Sequence, residues 1–139
     1  MYLRNNILKL FILIIFIFQM TINLVKAKDI NAYEVYKICN NYYQWVNKNY
    51  SLPVDEKMLF NMGKCQGMIQ TLGRTMLTLC YENKKNANIN KKLTANLQDI
   101  KTIDIIEGFL NTAEKDGKLR SYPANSYLIE FISRQWPCK

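Results

Sequence analysis

The 139-residue chain contains no histidine. It therefore lacks the commonest general base and the commonest metal ligand, and it cannot form a Ser–His or a Cys–His nucleophile pair. Its five glycines form no glycine-rich phosphate loop. Its carboxylates are scattered, so nothing marks the acid pair that a glycosidase needs. The sequence predicts a protein that is not an enzyme and that requires no metal or cofactor.

Acidic residues are also scarce, with 11 against 19 basic residues and a net charge of +8. Part of the excess lies in the first 27 residues, which contain Arg4, Lys9 and Lys26 and no acid. Residues 28–139 therefore carry 16 basic and 11 acidic side chains, a net charge of +5. A solvated lysine surface accounts for a charge of this size, and an exported protein does not ordinarily meet nucleic acid. We expect no nucleic-acid binding.

Residues 1–27 have the pattern of a secretory signal peptide. Nine uninterrupted large apolar residues, 10–18, follow a polar start, and the segment ends with the small residues Val25 and Ala27 at the positions that signal peptidases recognise. We expect cleavage after Ala27 and a single periplasmic domain over residues 28–139. The alternative is an uncleaved inner-membrane anchor, but polar residues dilute its second half below the roughly 20 apolar residues that a bilayer requires.

Apolar residues recur at steps of three and four through most of the remaining sequence, which indicates helices with one buried face. Asn31 is placed to cap the first of them. Residues 81–92 lack periodicity and predict a solvated loop. The predicted fold class is all-α, a small disulfide-bonded bundle of about four helices. The helices are expected over about residues 32–46, from the turn at Pro53 to 79, over 97–113, and from Pro123 to 136.

Two glycines of the second predicted helix, Gly63 and Gly67, lie four residues apart on one face. A glycine costs up to about 1 kcal/mol in a helix, so a structural reason is expected. Both glycines would let another backbone approach closely. Close packing against a helix of the same chain is the favoured interpretation, and contact across a homodimer is the alternative.

Four cysteines in an exported chain of this size predict two disulfides. They lack the close spacing of a four-cysteine metal site. Cys65 and Cys80 would lie about 22 Å apart along one helix, too far for a bridge. Cys39 and Cys65 lie at similar distances before and after the turn that joins the first two helices. This favours Cys39–Cys65 and leaves Cys80 to pair with Cys138.

Aromatic residues crowd the end of the first predicted helix. Tyr42, Tyr43, Trp45 and Tyr50 cannot all face the core. Either some of them cover the following turn, or an exposed subset anchors a protein partner.

The segment Phe60-Asn-Met-Gly-Lys-Cys-Gln-Gly-Met-Ile69 resembles the Gly-x-Cys-x-Gly-Tyr-Ile core of the second helix in the Rap/Tai immunity proteins of type VI secretion. Cys80 matches the cysteine that closes that helix. The ending Trp136-Pro137-Cys138 is similar to the aromatic-Pro-Cys that finishes the family's last helix.

The resemblance implies a periplasmic inhibitor, often dimeric, that binds a peptidoglycan amidase effector and occludes its active-site groove. Such an inhibitor needs a rigid scaffold and a projecting loop. The alternative is an exported envelope or chaperone-like binding protein without an immunity role. The candidate partner-binding loop lies between the third and fourth helices and consists of Asp116, Gly117, Lys118, Leu119, Arg120 and Ser121.

Overall fold

The computed structural model describes residues 30–51, 53–86 and 88–139, so the predicted signal peptide and its cleavage site lie outside the described residues. Within these ranges the protein is all-α, as predicted, and the only β-type pairing is an isolated antiparallel bridge between Asn31 and Pro123. No helix among the described residues is long and apolar enough to cross a membrane. The described residues form four α-helices, α1 (Ala32–Asn47), α2 (Glu56–Asn86), α3 (Thr102–Ala113) and α4 (Ala124–Gln135).

Helix α1 begins where its capping residue predicts. The side chain of Asn31 accepts a hydrogen bond from the N–H of Glu34 at 2.9 Å, which satisfies one of the free donors of the first turn. Ala32, Val35 and Cys39 form the buried stripe of the helix. Both the cap and the three-to-four-residue periodicity are confirmed.

Helix α2 runs further than the sequence suggested, so the expectation of a loop over residues 81–92 is wrong for its first half. Lys84 and Lys85 lie in the last turn, where the helix dipole favours positive charge. Lys85 also pairs with Glu82 at 3.0 Å, three residues earlier on the helix. Extending an existing helix by two turns requires no new nucleation, so these modest contributions are sufficient.

Helix α3 starts five residues later than expected, because long-range hydrogen bonds hold the preceding backbone extended. The N–H of Ala95 donates to a carbonyl of α2 at 3.2 Å, and the N–H of Asn96 donates to the carbonyl of Trp136 at 2.9 Å. Asp99 then turns the chain with a φ of 64°, in the left-handed region. Leu97 is buried as predicted, but it reaches the core from outside the helix.

The core lies between the four helices, and the ring of Phe109 on α3 is at its centre. This ring is fully buried and contacts the rings of Tyr36, Tyr127 and Phe131 in edge-on or tilted arrangements. The other large side chains with almost no exposed surface are Val35, Ile69, Met76, Ile106, Leu128 and Ile132.

Two disulfides connect the bundle, and both predicted pairings are confirmed. Cys39–Cys65 joins α1 to α2 with a Cα–Cα distance of 5.1 Å. Cys80–Cys138 joins α2 to the C-terminal residues with a Cα–Cα distance of 5.7 Å. The two bonds indicate an oxidising, exported environment.

Candidate partner-binding site

The candidate loop, called here the 116–121 segment, is held in a defined conformation at its first residue. One carboxylate oxygen of Asp116 accepts a hydrogen bond from the N–H of Lys118 at 2.9 Å, which caps the 3-10 helix Gly117–Arg120. The other oxygen accepts from the Tyr127 hydroxyl of α4 at 3.0 Å. Asp116 therefore holds the first turn of the segment in shape and also attaches the segment to α4.

Leu119 anchors the middle of the same segment. Its side chain is only 7% exposed and belongs to the core cluster. The prediction that all six residues form a partner-binding surface is therefore wrong for Leu119, because burying its side chain is more favourable than exposing it. The segment exposes Gly117, Lys118, Arg120 and Ser121 to solvent.

The pKa values of Asp116 and Tyr127 favour the hydrogen bond between them. Hydrogen bonding, first from the N–H of Lys118 and then from the Tyr127 hydroxyl, lowers the pKa of Asp116. Burial, followed by the hydrogen bond to Asp116, raises the pKa of Tyr127 to about 12. The carboxylate is therefore charged and the phenol neutral throughout the physiological range, which keeps the donor and the acceptor matched.

A cleft of about 250 Å³ lies between the 116–121 segment and α4. Both signs of charge line it, since Lys118 faces it from the segment and Glu130 and Arg134 face it from α4. Arg134 and Glu130 form an ion pair at 2.8 Å. Such a cleft can accept a polar side chain of a partner.

Aromatic rings contact three basic side chains on and near the 116–121 segment, a feature that the sequence analysis missed. The Lys37 ammonium and the Arg120 guanidinium each lie 4.9 Å from the centroid of the Tyr33 ring. The Lys118 ammonium lies 5.8 Å from the centroid of the Tyr122 ring. We call these five residues the basic–aromatic cluster. Two of its pairings join residues four apart in the sequence, Tyr33 with Lys37 on α1 and Lys118 with Tyr122, whereas no spacing indicated the contact between Arg120 and Tyr33.

Backbone hydrogen bonds bring the two parts of the cluster together. The N–H of Ala32 donates to the carbonyl of Tyr122 at 3.0 Å, and the N–H of Ala124 donates to the carbonyl of Ile30 at 2.9 Å. The start of α1 therefore lies directly beside the end of the 116–121 segment. Residues from two distant parts of the sequence form one surface here.

The glycine pair of α2 does not serve the close packing that was favoured for it. A Cβ built on Gly63 or on Gly67 would meet no atom within 4 Å, and both residues are exposed. A third glycine of the helix, Gly73, is closely packed, but against side chains: its Cβ would lie 3.2 Å from a methyl group of Leu97. The homodimer contact at Gly63 and Gly67 stays a prediction.

The aromatic residues at the end of α1 are divided between the bundle and solvent. Tyr42 and Tyr43 pack against the core, and the Tyr43 hydroxyl donates to a carboxylate oxygen of Glu107 at 2.8 Å. Trp45 contacts the Tyr50 ring edge-on at 4.5 Å, although Tyr50 is 61% exposed. Two of the four therefore pack on the bundle and two contact each other at the turn, and a role for Tyr50 in binding a partner stays a prediction.

Within the described ranges, no three cysteine or carboxylate side chains come together as a metal ion would require. Comparison with protein-family models, with curated proteins and with solved structures finds no match to the chain.

Proposed function

We propose that this protein is an exported inhibitor that binds a peptidoglycan amidase effector and occludes its active-site groove, in the manner of the Rap/Tai immunity proteins that its sequence resembles. The observation that carries the proposal is the 116–121 segment. It is exposed on one side and held firmly to the bundle on the other.

The physical reason concerns the entropy of binding. A loop that must become ordered when it binds loses affinity, whereas a loop already held in its bound shape does not. Leu119 is buried in the core, and Asp116 is hydrogen-bonded to α4, so the conformation of the segment is fixed before any contact. Inhibition by occlusion requires this rigidity and needs no catalytic group.

The proposal includes a location. An oxidising compartment suits the two disulfides, and a signal peptide over residues 1–27, cleaved after Ala27, would deliver the chain to the periplasm. Peptidoglycan amidases act in that compartment. The lack of histidine in the chain supports a binding role over a catalytic one.

The test is direct binding and inhibition with purified type VI amidase effectors. We expect the oxidised protein to bind one of them below micromolar Kd and to suppress hydrolysis of peptidoglycan at equimolar concentration. Ser121→Trp should abolish inhibition, because the large ring would prevent the segment from entering the groove. Ser126→Trp, on an exposed position of α4, is the matched control and should still inhibit. Absence of binding to any effector at micromolar concentration would refute the proposal.

A second function, an envelope or chaperone-like binding protein, is favoured by one observation. Leu59 and Phe60 of α2 are 48% and 72% exposed, which leaves apolar surface for contact with an apolar client. This function predicts weak binding to many unfolded proteins, and Phe60→Ser should reduce it. An amidase inhibitor would be unaffected by that substitution.

A further inference from the structure

The basic–aromatic cluster has an arrangement suited to binding carboxylates. Its cations Lys37, Lys118 and Arg120 are exposed, and within the described ranges no carboxylate lies close enough to form an ion pair with any of them. The two ion pairs that those ranges contain lie elsewhere, on α2 and α4. Within the described part of the chain, none of the three cations is therefore held in an ion pair, although Asp116 lies near Lys118.

The contact with Tyr33 leaves the hydrogen-bond donors of Arg120 free. The guanidinium carbon lies 4.9 Å from the centroid of the Tyr33 ring, a cation–π contact that occupies none of the N–H donors along the edge of the guanidinium. Arg120 makes no side-chain hydrogen bond to the other described residues, so this edge remains available. Paired N–H donors of this kind match the two oxygens of a carboxylate.

Repulsion between two neighbouring cations also favours the binding of an anion. Lys37 and Arg120 contact the same ring, so the two cationic groups are at most about 10 Å apart, the Debye length at 0.1 M ionic strength. Their repulsion is only partly screened at that distance. The nearby acids are Glu34, about one turn from Lys37, Asp116, already hydrogen-bonded twice, and Glu130, which faces the same cleft as Lys118 and forms an ion pair with Arg134. An anion bound here relieves the repulsion.

We propose that the basic–aromatic cluster is the docking surface for an acidic protein segment, with Arg120 binding one carboxylate through its free edge and Lys37 and Lys118 binding others. A protein partner is favoured over nucleic acid because the disulfides indicate an exported chain. Tyrosine and arginine together are also typical of protein interfaces. The inference rests on the proposed function and adds the chemistry of the partner surface beside the active-site groove.

The first test uses poly-L-glutamate as the acidic polypeptide and the purified, oxidised chain. We expect Lys37→Gln with Arg120→Gln to weaken binding at least tenfold. The control, Lys57→Gln with Arg74→Gln, removes the same charge from exposed positions of α2 and should weaken binding less than twofold. Thermal unfolding of each variant verifies that it is folded. Equal losses in both double variants would overturn the proposal, because they would reveal only a response to net charge.

Two further arms test the geometry and the class of partner. Arg120→Lys keeps the charge but loses the planar fork, and we expect it to weaken binding several-fold. Unchanged affinity would contradict the role given to the guanidinium edge. Vesicles of anionic phospholipid and heparin serve as the other polyanions. If either binds through the cluster and poly-L-glutamate does not, the partner is not an acidic protein and the proposal is wrong.

The inhibition assay separates this inference from the function on which it rests. If the unmodified protein inhibits an amidase and the Lys37→Gln, Arg120→Gln variant inhibits it equally well, the docking surface is refuted and the proposed function stands. If the unmodified protein inhibits no amidase but poly-L-glutamate binding behaves as expected, the proposed function fails and the carboxylate-binding surface remains.

Discussion

Replacing the cysteines two at a time tests the disulfide scaffold, because the loss of stability should depend on which two are replaced. Replacing Cys39 and Cys65 by alanine removes one disulfide, and replacing Cys80 and Cys138 removes the other. Replacing Cys39 and Cys80 removes both, since each cysteine left behind has lost its partner.

The magnitudes follow from the loops that the bonds close. Cys39–Cys65 spans 26 residues and Cys80–Cys138 spans 58. The chain-entropy model assigns these loops about 3.5 and about 4 kcal/mol of stabilisation. The mixed variant should therefore lose about 7.5 kcal/mol, whereas the net stability of a domain is roughly 5–15 kcal/mol. We expect both matched variants to fold and the mixed variant to be largely unfolded.

Urea denaturation followed by circular dichroism measures these differences. With a slope of about 2 kcal/mol per molar urea, each matched variant should lose about 2 M in its midpoint. The native chain treated with a reducing agent is the control and should behave like the mixed variant. A mixed variant as stable as either matched variant would refute both the pairing and the entropy argument.

Three further predictions concern single positions. The pKa of Tyr127 is raised from 10 to about 12 in the folded chain. The stability that the neutral phenol contributes is therefore complete below pH 10 and is lost as the pH rises through about 12. Urea midpoints measured over this pH range should decline for the native chain and not for Tyr127→Phe. Gly63→Ala should raise the free energy of unfolding by up to about 1 kcal/mol. Gly73→Ala should raise it less, because the new methyl group presses on Leu97. Equal gains for the two variants in thermal melts would contradict this. Asn31→Ala should cost about 1 kcal/mol in the same melts, and no loss would mean that the cap is not needed.

The regular parts of the fold could be predicted from the sequence because they depend on local signals. Asn31 caps α1 through a residue three positions away, and the pairing of Cys39 with Cys65 follows from their equal depth in two neighbouring helices. The start of α3 could not be predicted, since it depends on the bond between Asn96 and Trp136, which are far apart in the chain. Leu97 fitted the helical periodicity and is buried, yet it lies outside the helix.

The candidate site was only partly predictable for the same reason. The 116–121 segment was identified as a loop, but the burial of Leu119 in it was missed, although one apolar residue among charged neighbours is a signal of anchoring. Arg120 reaches the Tyr33 ring only because the fold places the segment beside α1. No spacing rule predicts such a pair.

The bridge between Asn31 and Pro123 has a practical consequence for labelling. Cleavage after Ala27 would leave an N-terminus three residues before the bridge, and three residues span at most about 10 Å. A fluorophore coupled to that terminus would therefore report on anything that binds the 116–121 segment. An affinity tag placed there would obstruct the same surface. The better position for a tag is after Lys139, beyond the disulfide that fixes Cys138 to α2.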